Sequence, residues 1–427
     1  MTVHIGERRA RDHAVADPPH ALLRALKHPL LMPYRRLALL VLGVNLAVFA
    51  AGDWAGPAAS ANMALANLTL AVLIRQQYVI NLLFRLATAA PPRWPLRVRW
   101  ALGKVYHFGG LHVGGAVAGT AWFLADGVRL HADRAVPTGV LLTAYAIGGV
   151  LIVMVATAVR PMRTRFHDLF ERVHRFGGWT ALGLLWLQTV LLHRGSLATA
   201  PGTWVLAVVT ASVALPWLRL RRVRVAIERP SAHVALARFD HGVTPFAGSS
   251  TAISRHPLRE WHSFANVPAP GRSGFRLTIS RAGDWTGSFI DDAPGRIWVK
   301  GITTAGVANI ETLFTRVVYV ATGSGIGPCL PHLLAAAVPA RLLWMARRPR
   351  QTYGDTLVDE ILAAQPDAVV WDTAERGKPD ALSLAYEVYR SFDAEAVICI
   401  SNQKLTRQVV HGLERRGIPA FGAIWDS

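Results

Sequence analysis

Cysteine and acidic residues are scarce in this sequence of 427 residues. Only Cys329 and Cys399 occur, both in the C-terminal half, which excludes a disulfide framework and agrees with a reducing cytoplasm. Aspartate and glutamate total 27 against 46 lysines and arginines, so the formal net charge is +19. Many of the basic residues stand between hydrophobic segments, where they meet anionic lipid or set membrane orientation. We therefore expect no nucleic-acid partner.

No cleavable signal peptide is expected, because the first apolar run starts near Arg36, after a long basic tail. Apolar residues, by contrast, are in excess: 52% of the chain is hydrophobic. The excess lies before residue 220 or so, in runs near the roughly 20 residues that cross a bilayer. We predict six membrane spans, at residues 36–53, 58–74, 105–125, 137–158, 174–193 and 203–219.

Lysines and arginines are concentrated in every second connection between these spans. They are abundant in the N-terminal tail and after the second, fourth and sixth spans, and rare in the other three loops. By the positive-inside rule, both termini are predicted to be cytoplasmic. We predict a multi-pass membrane protein in a bacterial inner membrane or its equivalent, with the lipid bilayer as a partner.

After Arg224 the pattern changes to short β-rich runs, and from about residue 315 strands alternate with helical stretches. That alternation is typical of a parallel sheet with crossover helices. The predicted fold class is a membrane all-α six-helix bundle followed by a β-rich lobe and an α/β lobe. We divide the chain into a basic tail (1–35), a helical domain (36–220), a β-rich lobe (225–312) and an α/β lobe (313–427).

The sharpest local motif is a glycine turn between a predicted strand and a predicted helix. Its residues are Gly323, Ser324, Gly325, Ile326, Gly327 and Pro328. Glycines let backbone N–H groups approach a pyrophosphate, and a helix N-terminus favours its negative charge. We expect the helix to start at or just after Pro328. Arg347, Arg348 and Arg350 follow the next strand, where they either hold a 2′-phosphate or are solvated.

This turn resembles the nucleotide-binding lobe of the ferredoxin–NADP reductase superfamily. Upstream, the segment His262-Ser263-Phe264 resembles the flavin motif of ferric reductases and NADPH oxidases, and Gly283-Asp284-Trp285-Thr286 resembles a segment that follows it there. The resemblance implies FAD and NAD(P)H as cofactors. It also implies that His262, Ser263, Phe264, Asp284, Trp285 and Thr286 bind FAD.

A closer resemblance, over nearly the whole chain after residue 30 or so, is to the fungal TmpA-like branch of ferric-reductase-like membrane proteins. The segments that carry it are residues 75–84, 104–110, 170–179 and 417–427. This branch implies a membrane oxidoreductase-like protein. Trp425 would then cover the flavin face or pack into the core.

The ferric reductases stack two haems between histidine pairs on their third and fifth helices. Here His107 opens the third span and His174 opens the fifth, each with a glycine three residues later. The outer partners are missing, since Thr120 and Gln188 stand near the required spacing. We therefore predict at most one b-type haem, held by His107 or His112 with His174. The alternative is that these histidines are hydrogen-bonded residues at helix ends.

Two departures affect the flavin site. Ala265 replaces the hydroxyl residue of the flavin motif, which should slow hydride transfer. Reductases of the resembling superfamily often carry Cys-Gly close to the nicotinamide. Here Cys399 is followed by Ile400 rather than glycine, so a buried structural cysteine is expected there.

The leading hypothesis is a membrane flavoprotein oxidoreductase that passes electrons from cytoplasmic NAD(P)H through FAD to an inner haem, a quinone or a cytoplasmic acceptor. The alternative is a catalytically degenerate membrane regulator or scaffold, and any protein partner is unknown.

Overall fold

The computed structural model describes residues 31–52, 54, 58–193, 195–268, 271 and 273–422. Its N-terminal half is helical, as the long apolar runs predict, since a helix satisfies its backbone hydrogen bonds within the run itself. In the described residues these helices are α1 (Pro33–Ala51), α2 (Ala59–Leu73), α3 (Gln77–Thr88), α4 (Leu96–Leu102), α5 (Gly109–Ala132), α6 (Thr138–Ala158), α7 (Arg160–Arg165), α8 (His167–Leu192) and α9 (Pro201–Leu218).

Each of the six predicted spans overlaps a helix, but not all of these helices are apolar enough to cross a membrane. Four helical segments pass by length and composition: Pro33–Ala51, Val105–Ala132, Thr138–Ala158 and Pro201–Leu218. The pair α2 and α3, bent by 75°, raises the number to five if it forms one span. Helix α8, which contains the fifth predicted span, is not among them. The six-span bundle therefore remains a prediction.

Close helix contacts in the bundle depend on glycines of α5. A Cβ at Gly110 would lie 2.0 Å from the carbonyl oxygen of Tyr34, and one at Gly115 would lie 2.8 Å from that of Asn67. Small residues let helix backbones approach in this way. The glycines three residues after His107 and His174 also lie at helix contacts: Gly110 packs on α1 and Gly177 packs on the Met154 side chain of α6.

Polar side chains inside the bundle pair with each other. Asn67, which interrupts the second predicted span, is buried and exchanges hydrogen bonds with Asn45 at 2.9 and 2.7 Å. Trp122 donates to Asn45 Oδ1 at 2.9 Å, and Ser60 donates to the buried Asp126 at 2.9 Å. Because buried polar groups are costly unless paired, these bonds explain how the polar residues are tolerated within apolar helices.

The β-rich lobe is a curled antiparallel sheet with one helix beside it. Its elements are β1 (Leu220–Arg224), β2 (Ala226–Ser231), β3 (Val234–Phe239), β4 (Ser249–Ser254), β5 (His262–Pro268), β6 (Phe275–Ser280), α10 (Asp284–Asp292), β7 (Arg296–Lys300) and β8 (Thr304–Ala305). The strand order is β1-β7-β4-β5-β6-β3-β2, and β8 pairs with β4. The short β-rich runs predicted after Arg224 are thus strands, among them β6 and β7.

The C-terminal lobe is a five-stranded parallel sheet in the order β11-β10-β9-β12-β13. Its elements are β9 (Val317–Thr322), α11 (Ile326–Ala335), β10 (Ala340–Ala346), α12 (Pro349–Tyr353), α13 (Asp355–Ala364), β11 (Val369–Asp372), α14 (Ala381–Phe392), β12 (Ala396–Ile400), α15 (Gln403–Arg415) and β13 (Ala420–Gly422). Strand and helix alternate as predicted. Together the two sheets confirm the expected ferredoxin-reductase-like sheet architecture.

Helices α3 and α4 dock onto both lobes. They lie between the second and third predicted spans, in a basic connection that is predicted to be cytoplasmic. Phe84 of α3 is buried in the same apolar cluster as Phe314 and Tyr319 of the α/β lobe. Asn81 donates to the Thr303 carbonyl at 2.9 Å and accepts from the Ala305 amide at 2.9 Å, so it extends the edge of the β-rich lobe. The helical domain and the reductase-like lobes therefore share a packed interface.

Candidate functional site

The glycine turn joins β9 to α11 at the carboxyl edge of the parallel sheet. Residues Gly323–Gly325 form one 3-10 turn, and α11 begins at Ile326, so the expected start at or after Pro328 is two residues late. Pro328 lies in the first turn of α11, where a missing N–H costs nothing. The Ile326 amide donates to the Gly323 carbonyl within the turn, and Pro328 has no N–H, which leaves the Gly327 amide among the first three positions of α11. A strand-to-helix turn of this kind, with its helix N-terminus, is the arrangement that binds a pyrophosphate.

Glycine is required at two positions of this turn for different reasons. Gly323 has φ +48°, a left-handed conformation that other residues adopt at a cost. A Cβ at Gly325 would lie 2.0 Å from the carbonyl oxygen of Ile400 at the end of β12. A Cβ at Gly327 would lie 3.5 Å from Cβ of Thr278, so the turn faces strand β6 of the other lobe. The turn thus sits where the two lobes meet.

The flavin motif lies on β5, next to α10. The imidazole of His262 stacks on the indole of Trp285 with ring centroids 4.1 Å apart, and Phe264 lies 6.2 Å from the same indole. His262 Nε2 is buried without a hydrogen-bond partner. Burial lowers the pKa of His262, so its ring is neutral at neutral pH. An unpaired polar atom beside stacked rings fits a planar aromatic ligand with a polar edge.

Asp284 and Thr286 lie in the first turn of α10, but their roles differ from the expectation. The Thr286 hydroxyl accepts from the amides of Ala282 at 2.8 Å and Gly283 at 3.1 Å, and donates to the Gly283 carbonyl at 3.0 Å. Thr286 therefore stabilises the turn that starts α10. Asp284 places a negative charge at the helix N-terminus, which stabilises α10 and disfavours an anion there.

Ser263 is exposed on β5, and Ala265, two residues further on, pairs with Ser250 of β4. Cross-strand partners project from the same face of an antiparallel pair. The Ser250 hydroxyl therefore stands beside the position where Ala265 lacks one, and it is 2.7 Å from the hydroxyl of Thr304 on the other side of β4. Sequence reasoning missed Ser250 and Thr304, because only the register brings them to Ala265.

The three arginines after β10 separate in the structure. Arg350 forms ion pairs with Asp355 at 2.9 Å and Asp359 at 2.7 Å, which commits its side chain to α13. Arg348 adopts φ +46° and its amide donates to Asp372 at 2.9 Å. Arg347 is exposed at the same sheet edge as the glycine turn. Among the three, Arg347 is therefore the best placed to meet a nucleotide phosphate.

The two remaining residues of the expected site have different outcomes. Trp425 lies outside the described residues. Cys399 is fully buried in the core on one side of the parallel sheet, and burial raises the pKa of its thiol to about 12. Such a thiol is not a nucleophile at neutral pH. The structure thus confirms the expectation of a buried structural cysteine.

A second candidate site is a cavity of about 920 Å³ between α8 and helices α2, α5 and α9. His112 and His174 both line it and lie within electrostatic range of each other. His107 does not line it: its buried ring lies 4.3 Å from that of Tyr106, in the 3-10 turn before α5. Of the two expected pairs, the cavity therefore brings together His112 and His174 and not His107 and His174, and a haem held by either pair stays a prediction.

The two histidines fit a haem unequally. His112 Nδ1 lies 2.8 Å from the carbonyl oxygen of Ala71, which is the support that a ligating imidazole needs on its second nitrogen. His174 Nδ1 is buried without a partner. Thr120 and Gln188, at the level where an outer pair would lie, also line the cavity and supply no imidazole. The described residues contain no group of three or more potential metal-binding side chains.

The comparisons with known proteins point to one group of sequences. Residues 307–427 match the family described as "Adenylate-forming reductase 03009, C-terminal domain". Two curated relatives from Coprinopsis cinerea, Adenylate-forming reductase 06235 and Adenylate-forming reductase 03009, are 42% and 43% identical over 425 and 430 residues. Each match covers 95% of this chain and 41% of the relative, so the chain spans less than half the length of the curated relatives it matches.

Among solved structures, a ferredoxin NADP+ reductase from Neisseria gonorrhoeae with bound FAD and NADP matches with a TM-score of 0.39 and 12% identity, over 48% of this chain and 98% of that one. A flavohemoglobin from Malassezia yamatoensis matches with a TM-score of 0.42 and 14% identity, over 85% and 98%. Neither score is high enough to assign the fold, which rests here on the strand order. The chain is thus similar to a part of the adenylate-forming reductases that includes their C-terminal domain.

Proposed function

We propose that this chain is a flavin-dependent NAD(P)H oxidoreductase unit anchored in a membrane by its helices. One observation carries the proposal. The glycine turn that suits a dinucleotide pyrophosphate lies against the antiparallel sheet that bears His262 and Phe264, with Gly327 in van der Waals reach of Thr278. A nicotinamide and a flavin must meet between two such lobes for hydride transfer.

Each part of the site has a distinct task in this proposal. The amides at the start of α11 and the side chain of Arg347 bind the nucleotide phosphates. His262, Phe264 and Trp285 hold the isoalloxazine and exclude water from it. The flavin, when bound, accepts a hydride and can release its electrons singly. Hydroxyls of Ser250 and Thr304 orient the ring edge in place of the group missing at Ala265.

The electron acceptor is an inner haem, a quinone or a cytoplasmic molecule. Four apolar helical segments, with arginine-rich segments at alternate ends, support a membrane location with both termini in the cytoplasm. The two relatives are named reductases, which supports a reductase activity for the part of them that this chain resembles. Since this chain spans 41% of each, the complete reaction of those proteins is not extended to it.

Absorption spectroscopy of the purified full chain tests the proposal. Reconstitution with FAD should give a flavin spectrum that bleaches on anaerobic addition of NADPH or NADH. Ser324 is exposed in the glycine turn, so Ser324→Glu adds a negative charge there without a steric clash. It should slow the bleaching at least tenfold by repelling the pyrophosphate, whereas Gln408→Glu, with the same charge on an exposed face of α15, should not. A protein that stays colourless after reconstitution would contradict the proposal.

A second candidate function is a membrane regulator that keeps the fold without turnover. Three observations favour it: Ala265 lacks the hydroxyl, the Thr286 hydroxyl is used within α10, and Trp285 covers His262. In that case the protein would bind a nucleotide in a titration monitored by tryptophan fluorescence, yet show no flavin reduction. The spectroscopic experiment separates the two functions, because only the oxidoreductase bleaches.

A further inference from the structure

Unpaired polar atoms of the helical domain gather on one cavity. Among the described residues of this domain, the buried side-chain atoms without a hydrogen-bond partner are Thr69 Oγ1, His174 Nδ1, Gln188 Oε1 and Thr203 Oγ1. All four residues line the cavity of about 920 Å³ beside α8. A buried polar group without a partner is destabilising. These atoms therefore point to a ligand that supplies the missing hydrogen bonds.

Two of these atoms belong to the distal half of the cavity, by which we mean the part lined by the last two turns of α8 and the first turns of α9. Gln188 lies in the last two turns of α8, and Thr203 lies in the first turn of α9. Trp186 donates to the Thr210 hydroxyl at 2.9 Å, which holds the two helices side by side here. Gln188 is only 6% exposed and lines the cavity, so its amide is enclosed by the protein at the cavity wall.

The distal half carries little charge. The arginines that line the cavity belong to its other end, at the start of α1, in the bend after α2, on α7 and in the first half of α8: Arg35, Arg75, Arg160, Arg163 and Arg175. Asp126 is the one acidic residue among the described residues that line the cavity, and it is engaged with Ser60 at 2.9 Å and Arg129 at 3.0 Å. Because Asp126 repels an anion and Arg129 already compensates its charge, the distal half favours an uncharged polar group.

A hydroxyl group is the uncharged group that suits these atoms. The Gln188 amide oxygen only accepts hydrogen bonds, whereas the Thr203 hydroxyl both donates and accepts. A ligand hydroxyl can donate to the first and still accept from another group. The other residues that line the distal half are mainly apolar, among them Leu185, Leu206 and Val209. The rest of the ligand is therefore apolar as well.

We infer that the distal half of the cavity binds an uncharged lipid alcohol, whose hydroxyl donates to Gln188 Oε1 and whose apolar chain lies along α8 and α9. The cavity volume of about 920 Å³ falls within the range of roughly 300–1,000 Å³ that ligand pockets have. This inference stands apart from the redox proposal, because it needs neither flavin nor electron transfer.

Native mass spectrometry of the full chain in a neutral detergent provides the test. The probes are hexadecanol and its methyl ether, which share one chain and differ in the hydroxyl that can donate. We expect one equivalent of hexadecanol to bind about tenfold more tightly than the ether, which is the effect of one hydrogen bond to an otherwise unsatisfied group. Equal binding of the alcohol and the ether would overturn the inference, because Gln188 would then be satisfied by water or by the protein.

Matched variants sharpen the test. Gln188→Met removes the acceptor with little change in side-chain size, so it should abolish the preference for the alcohol. The ligand-free variant should melt at the wild-type temperature or above it, because it loses a buried polar group that has no partner. Gln408→Met, the same substitution at an exposed position of α15, should retain the preference. A lower melting temperature of ligand-free Gln188→Met, or a preference for the alcohol that survives in it, would overturn the inference.

Discussion

Arg99 of α4 and Glu395, which precedes β12, form a two-pronged ion pair at 2.7 and 3.1 Å across 296 positions of the chain. Arg99 also donates to the Leu313 carbonyl at 2.8 Å and is 6% exposed on its side chain. The pair therefore joins the segment between α3 and α5 to the α/β lobe. Bidentate geometry and burial make it stronger than a surface ion pair.

Glu395→Gln should loosen this junction. Loss of the charge leaves Arg99 buried beside a weaker acceptor, so the free energy of unfolding of the α/β lobe should fall by about 2 kcal/mol. The Arg99 side chain holds the pKa of Glu395 below its ordinary value, so the pair stabilises the fold above the unfolded pKa of about 4.3 and is lost as pH falls through the folded one. Thermal unfolding between about pH 5 and pH 3 checks both effects.

In that series the wild type should lose more stability on acidification than Glu395→Gln. Glu375→Gln, at an exposed position, serves as the matched control and should behave as the wild type. Identical acid sensitivity of wild type and Glu395→Gln would show that the ion pair contributes nothing to the junction.

Gly325→Ala should disrupt the glycine turn. A Cβ there would lie 2.0 Å from the Ile400 carbonyl oxygen, and backbone on both sides leaves no flexible atom to move. We expect a loss of about 2 kcal/mol or more of stability, from the 1–3 kcal/mol range for overpacking, and a loss of nucleotide binding. Gly295→Ala, where a Cβ meets nothing within 4 Å, is the control and should change neither. Unchanged melting and binding in Gly325→Ala would mean that the turn differs from the one described.

Ala265→Ser should accelerate flavin reduction if the chain is an oxidoreductase. The new hydroxyl would stand beside Ser250 and add a hydrogen bond at the position where the resembling families have one. A stopped-flow measurement of flavin bleaching by NADPH should show a rate increase of about tenfold, equivalent to one hydrogen bond of about 1.4 kcal/mol. Ala252→Ser on β4 is the control. A slower rate in Ala265→Ser would indicate that alanine is needed for space.

Lys300 makes the stability of the β-rich lobe sensitive to alkaline pH. Burial lowers the pKa of Lys300 to about 8, and its ammonium lies 4.8 Å from the Trp261 ring centroid. Between pH 8 and the unfolded pKa of about 10.4, the unfolded chain binds more protons, so stability rises with pH in this window. Below pH 8 Lys300 is protonated in both the folded and the unfolded state, so the folded protein bears the full free-energy cost of burying the charge. Stability measured by urea unfolding from pH 7 to pH 10 should therefore increase.

Lys300→Met removes this titration and should flatten that profile while raising stability at pH 7. Lys378→Met, at an exposed position, is the control and should retain the wild-type slope. A wild-type profile that declines steadily from pH 7 to pH 10 would contradict the assignment of Lys300.

Much of the fold was predictable because local patterns decide it. The strand before Gly323 and the alternation after it follow from apolar runs and glycines, which act within a few residues. Long apolar runs likewise indicated a helix at each of six places. The start of α11 was misplaced by two residues, because Pro328 is compatible with any position of the first turn.

Tertiary structure decided what lies far apart in sequence. The pairing of Arg99 with Glu395, the docking of α3 and α4, and the choice of His112 over His107 in the cavity depend on how helices approach one another, which no local pattern encodes. Local patterns were enough to predict the helices, the strands and the glycine turn, because those depend on neighbouring residues. Which side chains meet follows from tertiary packing, because such contacts join surfaces whose residues lie far apart in the sequence.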